Sequence, residues 1–229
     1  MPSTEHVPGQ VLGVDGSRSG WVAVALEDGF AGADGDRSIA ALAGRHPVAE
    51  VVAIDMPIGL PIDGTRHCDA LARQRVGKRR SSVFLAPPKG VLEAPSYAEA
   101  TAAAVALTGV RISQQAYALR ARIADVAELA ETDSRVIEVH PEVSFWAMPE
   151  HEIEFSQHTW NGHRQRLDLL SNEGIELPEG LLEGLAGLAG VDDVVDAAAG
   201  AWSAARYAAQ AARPLPAGAQ PGDRPVIWY

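Results

Sequence analysis

The sequence predicts a three-layer α/β fold, in which a mixed sheet lies between helices on both of its faces. Two β-rich runs, at residues 11–15 and 21–26, are joined by a polar, glycine-bearing loop and indicate an antiparallel hairpin. Two later apolar runs, separated by helical patterns, are typical of parallel strands with crossover connections. A hairpin followed by parallel strands and helices gives this layered arrangement.

The loop of the hairpin is expected to span five residues, from Gly16 to Gly20. A third, weaker strand is expected at residues 30–33, followed by a helix at 38–44. The continuous apolar run V-V-A-I-D at residues 51–55 predicts a buried parallel strand, which the prolines and glycine of the following M-P-I-G-L-P end.

A helical insert is expected over about residues 62–134. Thr65 is placed to cap a first helix that Gly77 ends, because a hydroxyl suits the start of a helix and glycine its end. Ser96 is expected to cap a second helix over residues 97–107. Ser113 is expected to cap a longer third helix that reaches about Ala130.

The second half of the chain adds one clear strand and one clear helix. The alternating run R-V-I-E-V-H at residues 135–140 predicts a strand, and a second insert without a clear strand follows at about 144–190. The alanine-rich segment 191–213 predicts a helix, and residues 226–229 a short terminal strand. No long linker divides the sequence, so residues 1–229 are predicted to form a single domain.

The composition excludes several classes of protein. The chain has 229 residues, of which 47% are hydrophobic, and this apolar content is too high for a disordered chain. Its net charge of −11 argues against a protein that coats duplex nucleic acid. A single cysteine, Cys68, excludes an internal disulfide, and residues 1–10 lack the apolar segment of a secretory signal. We therefore expect a cytoplasmic protein that does not enter a membrane.

Acidic residues stand where the predicted strands end and where the last helix begins. Because the active sites of parallel sheets gather at the carboxyl ends of the strands, we expect these acids to meet. Buried carboxylates need protons or a cation, and hard oxygen ligands suit Mg²⁺ or Mn²⁺. The candidate catalytic residues are Asp15, Asp55, Glu138, Asp193 and Asp196.

Each acid also has a structural interpretation. An aspartate at the end of a strand often accepts hydrogen bonds from the amides of a turn. Asp192 and Asp193 would stabilise the start of a helix through its dipole alone. The pattern as a whole favours function, since Asp196 lies three residues after Asp193 on one helix face and has apolar neighbours.

A basic segment interrupts this acidic chain. Between Thr65 and Ser82 the sequence carries six basic residues and one acidic residue. The run G-K-R-R-S-S could bind a phosphate, although a solvated loop is the alternative, and it is not a Walker A loop. The candidate substrate-binding residues are Lys78, Arg79, Arg80 and Ser81.

Other patterns are interpreted as structural. Four histidines, at positions 140, 151, 158 and 163, do not follow a metal-binding motif and are expected at the surface. Cys68 is expected to be a partly buried small residue. The tryptophans at positions 21, 146 and 202 fall in apolar patterns and are expected in the core.

Long blocks of this sequence resemble the DUF429 family of predicted nucleases, which have an RNase H-like fold. The blocks are VLGVDGSRSGWVAV, AIDMPIGLP, GKRRSSVFLAP, VIEVHPEVSFWAM and DDVVDAAAGAWSAAR. The resemblance implies that Asp15 is the acid of the first strand, Asp55 that of the fourth, and Asp193 with Asp196 those of the last helix. Glu138 is not required by that fold. His140 and Glu142 belong to a family block without an assigned role.

The leading hypothesis is a metal-dependent phosphodiesterase, most simply a nuclease. Asp15, Asp55 and Asp193 would bind Mg²⁺ or Mn²⁺, and the partner would be nucleic acid or a small phosphorylated substrate. One alternative is an ATP-binding kinase of the actin-like class, although the chain is short for two lobes and lacks a second phosphate loop. The other is a non-catalytic binding module on an RNase H-like scaffold. The sequence leaves the oligomeric state open, a homodimer included.

Overall fold

A single mixed sheet forms the centre of the molecule. The computed structural model describes residues 9–180, 182, 185, 187 and 189–229, and within them seven strands pair in the order β3-β2-β1-β4-β5-β7-β6. The pairs β1/β2, β2/β3 and β6/β7 are antiparallel, whereas β1/β4, β4/β5 and β5/β7 are parallel, which confirms the predicted mixed sheet. The strands are β1 Val11–Ser17, β2 Gly20–Leu26, β3 Phe30–Asp36, β4 Val51–Ile54, β5 Val136–Val139, β6 Pro214–Leu215 and β7 Ile227–Trp228.

Helices cover both faces of this sheet. Alternate residues of a strand point to opposite faces, so Val11 packs in one apolar core with α9 while Leu12 packs in another with α1, α4 and α6. A 3-10 turn at Gly77–Arg79 follows α2. The helices are α1 Ile39–Gly44, α2 His67–Arg75, α3 Lys89–Leu92, α4 Tyr97–Thr108, α5 Gln114–Ala118, α6 Arg120–Thr132, α7 Pro141–Ala147, α8 Trp160–Asn172 and α9 Val191–Ala208.

The hairpin is tighter than the sequence suggests. Its ladder continues to the pair of Ser17 and Gly20, so only Arg18 and Ser19 connect the strands and the expected five-residue loop is wrong. Polar and glycine residues remain in the ladder because strand pairing uses the backbone, which every residue supplies. For the same reason β3 extends to Asp36 rather than stopping at position 33.

A close approach between α9 and β1 fixes the position of the last helix on the sheet. A Cβ atom on Gly13 would lie 2.0 Å from the backbone nitrogen of Ala201 and 2.1 Å from the carbonyl oxygen of Ala197. Gly200 lies on the facing side of the helix, against Gly13 itself. Only glycine in the middle of β1 lets the helix come so near. The first turns of α9 are thereby held beside the carboxyl end of β1.

The insert is helical as expected, with different helix ends. Ser96 and Ser113 cap α4 and α5 through their side chains, as predicted. The cap of α2 is Arg66 instead of Thr65, and the expected long third helix is broken at Leu119. The two helices α5 and α6 pack against different parts of the protein. The hydroxyl of Tyr117 in α5 donates to the carbonyl oxygen of Ala94, whereas α6 packs on α1 and β5.

The chain ends with two strands in place of the one that was expected. The last helix stops at Ala208, before the predicted position 213, and the chain then forms β6 at Pro214–Leu215. The sequence around β6 gives no strand signal, because Leu215 lies between two prolines and proline is depleted in strands. The strand β7 lies between β6 and β5 and extends the sheet by pairing parallel to β5. In the part of the chain that the structure describes, no helix has the length and apolar character needed to cross a membrane.

Candidate functional site

A cleft opens at the carboxyl ends of β1, β4 and β5, where the sequence places its acids. Its cavity has a volume of about 220 Å³, and residues of both inserts, such as Gln115 and Gln157, contribute to its wall. Six carboxylates line it, from Asp15, Asp55, Asp69, Glu138, Glu142 and Asp196.

The two strand-end aspartates are neighbours across the parallel pair of β1 and β4. The ladder of this pair ends at Val14 and Ile54, and the next residues in sequence are Asp15 and Asp55. The backbone N–H of Asp55 donates to the carbonyl oxygen of Val14 at 2.9 Å. The carboxylate of Asp15 accepts from the N–H of Gly16 at 2.7 Å. The register therefore sets the two acids side by side, as the sequence predicts.

Asp196 completes a group of three carboxylates that we call the open acids: Asp15, Asp55 and Asp196. Burial raises the pKa of Asp15 well above its ordinary value, and the charges of Asp55 and Asp196 raise it further. Burial also raises the pKa of Asp196, as do the charges of Asp55 and Glu142. Among the described residues, no hydrogen bond or ion pair reaches the carboxylate of Asp55 or Asp196. These acids repel one another with no bonded cation.

Glu138 lies in the same cleft but has partners. Its carboxylate accepts from the backbone N–H of Ile58 at 2.7 Å and forms a short ion pair with the buried guanidinium of Arg66. Burial raises the pKa of Glu138 to about 7, against the opposing effects of Arg66 and the Ile58 N–H. This acid is therefore part of a buried structural network.

Asp69 and Cys68 belong to the same network. Asp69 accepts from the N–H of Ala86 at 2.7 Å and lies 3.4 Å from Nε of Arg66. Cys68 is fully buried, not partly buried as expected, and its sulfur accepts a hydrogen bond from Arg66. Burial raises the pKa of this thiol to about 12, which keeps it protonated and unreactive near neutral pH.

Glu142 is held from two sides by arginines. Its Oε1 accepts from Arg166 at 2.7 Å and from Arg79 at 3.3 Å, whereas Oε2 has no hydrogen bond in the described part of the chain. Arg166 is buried and also donates to the carbonyl oxygens of Phe155 and Gly162. No role is predicted for Glu142 from the sequence, although its place in the first turn of α7, just after β5 ends at Val139, was a usable signal.

His140 is the histidine of the four that lines the cleft. Its positive charge, when protonated, would lower the pKa of Asp55, against the effect of burial. Its Nδ1 is buried without a hydrogen-bond partner among the described residues. His151 and His158 are exposed, as expected, and His158 lies 3.0 Å from Asp192.

Asp193 stands apart from the cleft lining. Its carboxylate accepts from the N–H of Gly190 at 2.8 Å and so caps the start of α9. Its charge still contributes to the raised pKa of Asp15. Its assignment as a metal ligand stays a prediction. The dipole of α9 was the alternative reason for an acid at this position, and the structure adds the hydrogen bond from Gly190.

The basic segment is divided between two places. Arg79 faces the cleft through its bond to Glu142, but Lys78 and Arg80 line a separate open groove of about 1020 Å³ together with Arg73. Ser82 lines the cleft, whereas the expected Ser81 is exposed. The turn Gly77–Arg79 separates the two because successive residues of a turn point in different directions.

The open acids are chemically suitable ligands for a divalent cation, but their present arrangement does not form a binding site for one. They are hard oxygen donors whose mutual repulsion a cation would relieve. Within the described residues, however, no three histidine, cysteine or acidic side chains already converge as a metal-binding group. Binding would therefore require the carboxylates to turn toward a common point.

Comparisons with known proteins give one match. The model of a family described as "Protein of unknown function (DUF429)" matches residues 13–220, in agreement with the resemblance noted from the sequence blocks. No curated protein and no solved structure matches the chain. The match runs from Gly13 in β1 past α9 and β6, and it ends before β7, whose Ile227 also lines the cleft.

Proposed function

This chain belongs to the DUF429 family, and we propose that it is a nuclease that hydrolyses phosphodiester bonds with the help of Mg²⁺ or Mn²⁺. The observation that carries the proposal is the group of open acids, whose pKa values are raised by burial and by the charges of neighbouring acids. Acids that share a cleft and have perturbed pKa values are typical of functional sites. The antiparallel meander followed by parallel strands supports an RNase H-like assignment of the sheet.

The residues that would hold the metal are Asp15, Asp55 and Asp196, with Asp193 at the edge of the group. When bound, a divalent ion would activate water and neutralise charge on the phosphate. The protein's own contribution is the placement of these carboxylates. The ladder of β1 and β4 sets the first two, and the close contact of Gly13 with α9 sets the third.

Glu142 is the residue that we propose to orient the attacking water. Arg166 and Arg79 both occupy its Oε1, which fixes the carboxylate and leaves Oε2 to accept a proton. A base whose own position is fixed by other side chains acts from a defined geometry. Glu142 lines the same cleft as the open acids, so a water that it orients would lie near them.

The size of the cleft bears on the substrate. A cavity of about 220 Å³ is smaller than the roughly 300–1,000 Å³ of sites that enclose a whole small molecule. We propose that it takes the phosphate being cleaved, while the neighbouring nucleotides lie outside. The groove of Arg73, Lys78 and Arg80 would bind flanking phosphates of a nucleic-acid strand. The cytoplasmic location expected from the sequence stays a prediction.

The test is hydrolysis of short fluorescent single-stranded RNA and DNA in the presence of Mg²⁺ or Mn²⁺. Asp15→Asn should lower the rate by more than about 100-fold, since even outer partners of metal ligands contribute 10–100-fold. Asp125→Asn, an exposed change on α6, is the matched control and should keep full activity. Equal activity of wild type and Asp15→Asn, or no metal-dependent cleavage by wild type, would exclude the proposal.

A further inference from the structure

One arginine in the acidic cleft is bonded to no acid. Arg122 lies in the first turn of α6 and lines the cleft, where among the described lining residues it is the one arginine or lysine. Arg66, Arg79 and Arg166 each form an ion pair with a carboxylate of the cleft. Arg122 forms no ion pair in the described part of the chain. Its charge is therefore available to an anion from outside.

The position of the Arg122 guanidinium is nevertheless fixed. Its Nη2 donates to the carbonyl oxygen of Ser17, and its central carbon lies 5.6 Å from the centre of the Trp21 ring, over which it stacks. These two contacts come from β1 and β2, across the sheet edge that carries Asp15. The guanidinium is thus attached to the same strands as the first of the open acids.

Gly16 provides the room for this arrangement. A Cβ atom at position 16 would lie 2.7 Å from Nη1 of Arg122, which is closer than carbon and nitrogen pack. The missing side chain lets Nη1 lie against the backbone of the residue that follows Asp15. In the described part of the chain this Nη1 has no hydrogen-bond partner. A free N–H edge is therefore placed beside the carboxylate cleft.

We infer that Arg122 binds the phosphate of the substrate, in the same cleft as the open acids that would hold the cation. The inference rests on the proposed function and deepens it, because it assigns the residue that recognises the reacting group. A guanidinium presents a planar pair of donors that suits the oxygens of a phosphate better than a point charge does. The phosphate would then have Arg122 and the cation as partners in a cleft whose charged side chains are mainly acidic.

This placement gives Arg122 a part in catalysis as well as in binding. Negative charge on the phosphate oxygens is redistributed as the phosphodiester bond breaks, and fixed donors stabilise it without having to reorganise. Because the residue comes from α6, the helical insert supplies a group that the sheet edge alone lacks. The insert is then part of the active site and more than a cover for the sheet.

The experiment measures binding of inorganic phosphate to the Mg²⁺-loaded protein by titration calorimetry, and Mg²⁺ binding in parallel. Arg122→Ala should weaken phosphate binding by at least about tenfold and leave Mg²⁺ affinity unchanged. Arg122→Lys should retain part of the phosphate binding. Lysine keeps the positive charge but lacks the planar pair of donors of a guanidinium. The matched control is Arg120→Ala, since Arg120 lies on the same helix, is exposed and stacks on Tyr117.

The outcomes separate this inference from the proposed function. Unchanged phosphate affinity in Arg122→Ala, or the same loss in Arg120→Ala, would overturn the assignment of Arg122. If wild type binds phosphate through Arg122 but cleaves no nucleic acid, the hydrolysis is wrong and the anion site stands. If Arg122→Ala does not fold, the Arg122→Lys variant provides the test. Wild-type phosphate affinity in Arg122→Lys would overturn the assignment of a guanidinium to phosphate binding.

Discussion

Two groups of carboxylates meet in one cleft and differ in what neutralises them. Among the described residues the open acids have neighbouring acids and no bonded cation, and the charge of a neighbouring acid adds to burial in raising the pKa of each of them. The second group, which we call the paired acids, bonds to buried or half-buried arginines. The paired acids are Asp69, Glu138 and Glu142, and their partners are Arg66, Arg79 and Arg166.

The comparison shows which acids have the partners that a buried charge needs and which acids lack them. A buried charge is costly unless it is paired and hydrogen-bonded. The paired acids meet that condition, so their removal should weaken the protein. The open acids do not meet it, so they lower stability in the metal-free protein and would be retained for what they bind. This distinction can be tested by measuring the sign of each change in stability.

The largest effect is expected where an arginine of the paired acids is removed. Arg66→Met would leave Glu138 and Asp69 buried without their cation, at a cost of about 3–5 kcal/mol in the free energy of unfolding. Urea unfolding measures this cost. Arg164→Ala is the control, because its ion pair with Asp168 is exposed and is expected to contribute less than about 1 kcal/mol.

A second variant distinguishes the effect of the unpaired charge from the effect of lost packing. Arg66→Met combined with Glu138→Gln should recover part of the lost stability, because the glutamine carries no charge to be left alone. A double variant no more stable than Arg66→Met would show that the lost packing of Arg66, and not the unpaired charge, causes the effect.

A pH dependence should follow from Glu138. Its pKa is about 7 in the folded protein against an ordinary value of 4.5, so the folded state binds the proton more tightly. The corresponding stability is present below about pH 4.5 and is lost as the pH rises through 7. The slope contributed by this one proton approaches about 1.4 kcal/mol per pH unit. Unfolding curves of wild type and Glu138→Gln over this range should differ by that slope, and parallel curves would contradict the shift.

Two alanine substitutions in α9 should change stability in opposite directions. Asp196→Ala removes an open acid and should raise the free energy of unfolding of metal-free protein by about 1 kcal/mol. Asp193→Ala removes the capping contact to Gly190 and should lower it by about 1 kcal/mol. Thermal unfolding of both variants checks this, and a loss of stability in Asp196→Ala would remove the basis for separating the two groups. Mn²⁺ titrations of the same variants test whether Asp193 binds metal.

The smallest effect on stability is expected for the cations outside both groups. Lys78→Ala with Arg80→Ala should change the free energy of unfolding by less than about 0.5 kcal/mol, because both side chains are exposed. In an Asp15→Asn background, the same double change should reduce the slope of oligonucleotide affinity against salt by about 2. Fluorescence anisotropy at several salt concentrations measures it, and an unchanged slope would exclude the groove as a phosphate-binding surface.

The strand-end acids were predictable because their position follows from local sequence. A run of apolar residues that ends in aspartate places that side chain at the end of a strand, so Asp15 and Asp55 could be identified before any contact was known. Glu138 could be placed on a strand in the same way, but its role in a buried ion pair could not be predicted. The partner that neutralises it, Arg66, lies 72 positions away in sequence. No local pattern predicts which acid obtains such a partner.

The sequence by itself determined the mixed sheet, the helical insert, the alanine-rich last helix and the acids at the strand ends, because these depend on periodicity and on residues close along the chain. Only the tertiary structure decided that Arg122 reaches the strand that carries Asp15, and that Arg166 and Arg79 share one oxygen of Glu142. These contacts join the two inserts and the sheet over long sequence separations. They are set by how the helices pack, and the close approach of α9 to the sheet depends on Gly13 and on Gly200, which faces it.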